Sequence, residues 1–300
     1  MTTSYEGRPL PRPDEEVVDQ GLRFDLDTLL SRRRVLGFLG LGAAGLGLAA
    51  CGGSSTTTSA AAATTSTGEI PEETAGPYPG DGSNGANVLT ESGIVRSDIR
   101  SSFGSASGTA EGVPMTLTLT VQDLAGGVPF EGAAVYVWHC DRDGNYSLYS
   151  QGITEENYLR GVQVADADGT VTFTSTFPAC YSGRWPHIHV EVYPDVDSIT
   201  DSSNAIATSQ VALLQDACET VYATSGYEQS VRNLSQVSLA TDNVFSDGAE
   251  LETPTITGDV TSGLIVAMDV GVDTTTAAGG GSTGGGTGGG PGGGGQPPGR

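Results

Sequence analysis

Two of the chain's three histidines stand in His187-Ile188-His189, at the head of a run that continues Val190-Glu191-Val192-Tyr193. Successive side chains of a β-strand alternate between faces, so both imidazoles project from one face, about 6 to 7 Å apart at their Cα atoms, while Ile188, Val190 and Val192 fill the other. That is a two-imidazole metal clip, although a strand whose histidines only hydrogen-bond carries the same pattern. Tyr181 precedes His187 by six residues, across Gly183 and Pro186, near enough for a loop to fold its phenol back onto the same ion. A hard, high-valent cation such as Fe(III) prefers anionic oxygen donors and stabilises phenolate far more than water does. Two imidazoles with two phenolates would make a centre of that kind, and the second phenol has to come from elsewhere in the chain. Zinc sites favour His, Cys and carboxylate over a pair of tyrosines, which counts against a zinc hydrolase.

The elements that must position these groups are strands. Residues 115–122 alternate apolar with polar at every step, the period-two pattern of a half-buried strand with Met115, Leu117, Leu119 and Val121 on its core face. Further strand-like runs occupy 133–139, 169–177, 187–193, 207–214, 236–240 and 264–270, separated by turn clusters such as Asp141-Arg142-Asp143-Gly144-Asn145 and Asp166-Ala167-Asp168-Gly169. No amphipathic helix longer than a few turns is visible. Many short strands with turns between them predict an all-β domain, an antiparallel β-sandwich, over residues 69–273.

Both ends of the chain read differently. Ser31-Arg32-Arg33-Arg34-Val35-Leu36 and the apolar run to Ala50 have the shape of a twin-arginine export signal, and the run from Val35 is shorter than the ~20 residues of a spanning helix. It ends in Leu48-Ala49-Ala50-Cys51, which looks like the signal at which a leader is cleaved and the new N-terminal cysteine acylated. Residues 1–51 are therefore expected to be a lipoprotein signal, 52–68 a Ser/Thr/Ala/Gly linker and 274–300 a disordered Gly-rich tail, since neither of the last two can bury enough apolar surface to fold. The protein is expected outside the cytoplasm, anchored to the membrane by lipid.

All 13 basic residues are arginine, so Schiff-base and lysine-nucleophile chemistry is excluded. Residues 1–50 hold six arginines and seven acids, which leaves seven basic against 29 acidic residues beyond them. Such a surface repels nucleic acid and anionic headgroups, and a small-molecule partner is expected. With Cys51 assigned to lipid, Cys140, Cys180 and Cys218 remain in an oxidising compartment, where three thiols cannot all pair. Cys140 lies in the strand-like Val135-Tyr136-Val137-Trp138-His139-Cys140, which leaves a Cys180–Cys218 disulfide as the expected bridge.

The His-Ile-His strand, the preceding Tyr181 and Arg184-x-Pro186, and the upstream Val137-Trp138-His139-Cys140-Asp141-x-x-Gly144-x-Tyr146 resemble the core of the intradiol ring-cleavage dioxygenases, the family of catechol and protocatechuate dioxygenases. Glu73-Thr74-Ala75-Gly76-Pro77-Tyr78, Arg96-Ser97-Asp98-Ile99-Arg100, Gly127-Val128-Pro129 and Asn157-Tyr158-Leu159-Arg160-Gly161 also fit that family's pattern, in order, over about residues 69 to 273. The resemblance implies Tyr146, Tyr181, His187 and His189 as the ligands of a mononuclear non-haem Fe(III). It also implies that Tyr181 leaves the metal and takes up a proton when catechol chelates, that Arg184 favours charge build-up on the substrate ring, and that Gln210 is an amide behind the centre. No ligand falls on His139, a core histidine, and Tyr149, Tyr158 and Tyr193 are expected to pack. Tyr78 is expected either to line the pocket or to cover the domain. The loop between Tyr181 and His187 is shorter than in better-known members, and the N-terminal helical dimerisation segment of cytosolic members has no counterpart here.

The function so implied is insertion of both atoms of O₂ into a catechol, splitting the ring between its hydroxylated carbons to a cis,cis-muconate-type diacid. A rival from another class is a non-catalytic β-sandwich binding module whose His-x-His clip is empty or holds adventitious zinc.

Overall fold

In a computed structural model the described residues are 68–275, together with a two-residue ladder pairing Ser4–Tyr5 with Arg8–Pro9. The twin-arginine segment, Cys51, the linker as far as residue 67 and the Gly-rich tail lie outside the described residues. Among the described residues no helix is long and apolar enough to cross a membrane.

Alternation in the sequence becomes β1 (Pro114–Asp123), which buries Met115, Leu117, Leu119 and Val121 and leaves the threonines between them half-exposed. After the short β2 (Val128–Pro129) come β3 (Ala134–Trp138), β4 (Arg160–Val164), β5 (Thr170–Thr176), β6 (His187–Tyr193) and β7 (Ala207–Ala212). Two short helices, α1 (Gln215–Tyr222) and α2 (Glu228–Leu234), lead to the hairpin β8 (Thr255–Asp259) and β9 (Gly263–Val272). One sheet has the order β8-β9-β1-β2 with β5 also paired to β1, and the other the order β4-β3-β6-β7. Their facing side chains form one apolar core: Leu117, Leu119, Phe173 and Val266 from the first sheet meet Val135, Val137, Ile188 and Val190 from the second.

The chain is mostly strand, as expected, with three departures. The expectation of purely antiparallel pairing fails at β9, which runs parallel to β1 from Leu264 opposite Met115 to Val272 opposite Asp123. Alternation reports which face is buried and carries no information on strand direction. Residues 236–240 form no strand. Ser238 and Thr241 exchange side-chain and backbone hydrogen bonds that close a 3₁₀ turn at Leu239–Thr241, while Val237 and Leu239 pack on Trp185, Val244 and Phe245. Strands β4 and β8 carry Arg, Gly and Thr in place of a clean apolar alternation, and the sequence did not signal them.

The Cys180–Cys218 bridge is also absent: Cys140, Cys180 and Cys218 are all free, buried thiols. Cys180 Sγ is directed at the carbonyl oxygen of Arg184, 3.5 Å away, and Cys218 is enclosed on the core side of α1. Burial pushes the Cys180 thiol up to about 12, which keeps it protonated and unreactive.

Candidate metal centre

Strand β6 is buried on both faces. One face enters the shared core, and the other carries His187, His189, Glu191 and Tyr193 beside Tyr136 and Trp138 of β3, because the antiparallel register sets His189 opposite Trp138. Both imidazoles are buried. His187 Nδ1–H donates to the Trp185 carbonyl at 2.6 Å, so the lone pair lies on Nε2, which is 3.2 Å from His189 Nε2 and 3.2 Å from Tyr181 Oη. The His189 ring stacks on Trp138 at 4.7 Å and 3°, and Trp138 stacks on Tyr136 at 4.8 Å, so a column of aromatic rings holds the imidazole plane. Burial lowers the pKa of both imidazoles, with Arg184 adding to the effect at His187 and His187 adding to it at His189. Both therefore stay neutral and able to ligate.

Tyr146 arrives on a loop that the sequence builds locally. Asp141 Oδ1 accepts from the amides of Asp143 and Asn145, closing a turn in which Gly144 takes φ +88°, and a Cβ there would sit 3.2 Å from Tyr181 Cβ. Tyr146 N donates to Ser150 Oγ, and Leu148 is held at φ 72°, a strained conformation for a non-glycine residue, by the hydrogen bond its amide donates to Glu156 O. Arg160, from β4, ties this loop to the leading segment. Its guanidinium donates to Ser147 Oγ and O, Pro79 O, Tyr78 O and Tyr136 Oη. The same leading segment crosses the site at Gly76 (φ +71°), where a Cβ would come within 3.2 Å of His189 Cε1. Tyr78 lies against the rings of Tyr146 and Tyr149 at 5.0 and 5.2 Å.

Tyr181 and Arg184 sit on the loop before β6 and are half-buried. Arg184 Nε donates to Asp242 Oδ2 at 3.0 Å and Nη2 to Gln210 Oε1 at 2.7 Å, while Gln210 Nε2 donates to Thr74 O at 2.8 Å. Asp242 is fully buried and also accepts from Trp185 N, Val244 N and Phe245 N. Sequence reasoning missed Asp242, since nothing in its turn-rich surroundings distinguishes it from the chain's other aspartates.

The four side chains named from the sequence are thus brought together: Tyr181 lies beside His187, His187 beside His189, and the Tyr146 ring edge-on to both Tyr181 (5.9 Å) and His189 (6.2 Å). His139 is elsewhere, with Nε2 on Ser175 Oγ and Nδ1 on Cys140 O; Tyr158 donates to Asp141, Tyr193 to Glu191, and Tyr149 accepts from Gly80 N. Among the described residues no three His, Cys, Asp or Glu side chains gather around a common point. The Tyr146 hydroxyl is buried without a hydrogen-bond partner, an expensive state for a phenol unless something else occupies it. Burial raises the Tyr146 pKa well above the usual value, with Tyr181 adding to the rise, and pushes Tyr181 up to about 12. Phenolates would form here only against a cation. Two neutral imidazoles and two phenols, one of them with an orphaned hydroxyl, fit a hard ion that takes oxygen anions with nitrogen, as ferric iron does.

Comparison with known proteins finds dioxygenases. A protein-family model described as Dioxygenase matches residues 96–192. The chain is 33% identical over 100 residues to a chlorocatechol 1,2-dioxygenase of Rhodococcus opacus, covering 27% of this chain and 38% of that protein. It is 38% identical over 71 residues to a catechol 1,2-dioxygenase of Pseudomonas sp. (strain EST1001), covering 24% of this chain and 23% of that one. The aligned part therefore spans well under half the length of these relatives. An intradiol ring-cleavage dioxygenase from Tetranychus urticae superposes with a TM-score of 0.53 at 25% identity, over 69% of this chain and 96% of that one.

Proposed function

We propose that the chain is a member of the intradiol ring-cleavage dioxygenase family, an iron enzyme that opens a catechol with O₂ between the two hydroxylated carbons, giving a cis,cis-muconate-type diacid. The observation that carries this reading is the convergence of Tyr146, Tyr181, His187 and His189 on one buried point, with the Tyr146 hydroxyl lacking any other partner.

In this reading those four residues would hold a single Fe(III), which would supply Lewis acidity toward a catechol. Tyr181, on the loop nearer solvent, would be a phenolate while the ion is bound, and its Oη would take up a proton given by a substrate hydroxyl as the catechol enters. Tyr146, fixed by its Asp141 turn, keeps its place throughout. Arg184 presents a guanidinium beside the ring, oriented by Asp242 and Gln210, and favours negative charge building up there. Trp138 and the Trp185 carbonyl hold the two imidazole planes, and the leading segment at Gly76 to Tyr78 excludes water from the His189 side. Export through the twin-arginine signal and acylation at Cys51, both argued from the sequence, place the reaction outside the cytoplasm on a lipid-anchored protein.

The test is the visible spectrum with oxygen uptake. Ferric phenolate has a charge-transfer band that zinc lacks, and catechol should shift it and consume O₂. Tyr146→Phe should lose iron and the band before substrate is added. Tyr181→Phe should still bind iron and catechol yet turn over poorly. Wild-type cleavage in both variants would refute the site.

A further inference from the structure

We propose that the site selects catechols carrying no acid group, because Asp242 neutralises the guanidinium of Arg184 beside the proposed ligands and, among residues 68–275, no other cation is free to receive a carboxylate. The inference rests on the catechol reading above and deepens it.

Residues 68–275 contain six arginines and no lysine. Four are committed away from the centre. Arg96 donates to the carbonyls of Arg160 and Asn157, Arg100 pairs with Asp98, Arg142 with Glu111, and Arg232 donates to Gln229. Arg160 does reach the centre electrostatically, being felt at His189. It is nonetheless buried, and each of its three nitrogens is taken by backbone carbonyls or by the hydroxyls of Ser147 and Tyr136. Only Arg184 remains, and its charge is felt at all four proposed ligands.

Arg184 is not a free cation. Nε is bonded to the fully buried Asp242 and Nη2 to Gln210, while the guanidinium carbon stands 6.0 Å over the Phe245 ring. Asp242 is itself fastened by three backbone amides, so Arg184 and Asp242 together carry no net charge: the guanidinium can favour charge on a ring set against it without supplying a counter-ion to a carboxylate borne by that ring. Entering such a site, a carboxylate on the catechol ring loses its hydration and gains no counter-ion in return, in a protein whose formal charge is −23. A hydrogen, methyl or other neutral substituent incurs no such cost. Two further aromatic rings lie beside the proposed ligands, Tyr78 5.0 Å from Tyr146 and Phe245 6.5 Å from His187.

The experiment titrates the iron-loaded full chain, without oxygen, with 4-methylcatechol and with 3,4-dihydroxybenzoate, reading the substrate-dependent visible band. The acid should bind weaker than its neutral counterpart by about tenfold or more. In Asp242→Asn the Arg184 charge is uncompensated and the ratio should close toward one, while Asp242→Glu should keep the wild-type preference. Equal binding of the two compounds by the wild-type protein would overturn the inference and leave the catechol reading intact. So would an unchanged ratio in an Asp242→Asn protein that still binds 4-methylcatechol. If Asp242→Asn does not fold, the wild-type ratio decides alone. Binding of neither compound would overturn the catechol reading itself, and this inference with it.

Discussion

Removing the Asp242 carboxylate should show how far the architecture of the centre depends on one residue from the segment that follows α2. Its Oδ2 accepts from Arg184 Nε at 3.0 Å and from Trp185 N at 2.7 Å, and its Oδ1 from Val244 N at 2.8 Å and Phe245 N at 3.2 Å. Asp242→Ala leaves three backbone amides and the Nε of an arginine side chain only 14% exposed without their acceptor, and removes the counter-charge of that guanidinium. Breaking a buried ion pair from one side costs about 3 to 5 kcal/mol, and the orphaned amides at about 1 to 3 kcal/mol each make the upper part of that range the better guide. For a body of this size that corresponds to a fall in Tm of roughly 10 to 20 °C. Burial pushes the Asp242 carboxyl up, while the Arg184 charge and the amide hydrogen bonds outweigh it and hold the group below the usual carboxylate range. A carboxyl lowered in this way contributes stability that is present above its unfolded pKa and is lost as pH falls through the folded one. The gap between wild type and variant should therefore be constant from pH 8 to about 4 and close below that. Urea and thermal unfolding of the metal-free proteins measure this directly, and adding Arg184→Ala to Asp242→Ala should recover part of the loss by removing the unpaired charge. A loss under about 1 kcal/mol in metal-free Asp242→Ala would refute the reasoning, because surface-like values mean that the carboxylate holds nothing.

His139 is lowered to about 4, chiefly by burial, so its contribution is complete above about pH 6.5 and is lost as pH falls toward 4. His139→Gln should flatten that part of the stability curve, and an identical acid slope in both proteins would contradict it. Gly76→Ala forces φ +71° on a residue with a Cβ and crowds His189 Cε1 at 3.2 Å, so it should cost about 1 kcal/mol or more and lower iron occupancy measured by metal analysis. The three buried thiols should resist a thiol reagent in the folded protein and all react once it is unfolded; a bridge in non-reducing peptide maps would oppose the free thiols of the structure. A chain cut to residues 69–276 should keep its iron and its oxygen uptake, because residues 52–68 and 277–300 lack the apolar content to pack on the site and the leader before them is expected to be cleaved.

Much of the centre was legible in one stretch of sequence. Period two along 187–193 puts His187 and His189 on one face and Ile188, Val190 and Val192 in the core whatever the partner strands are, and a six-residue spacing keeps Tyr181 within reach. Those are local facts of backbone geometry. The absence of lysine and the acid excess are likewise properties of composition alone, and they limit the chemistry before any fold is known. What tertiary structure decided are the relations between distant segments. Asp242 meets Arg184 across 58 residues, Gln210 fastens Thr74 across 136, and Trp138 backs His189 only because β3 and β6 pair in one particular register. The parallel course of β9 and the separate enclosure of Cys180 and Cys218 belong to the same class. Side-chain alternation determines which face of a strand is buried; which strand, loop or carboxylate then lies against that face is set by how the two sheets close over their shared core.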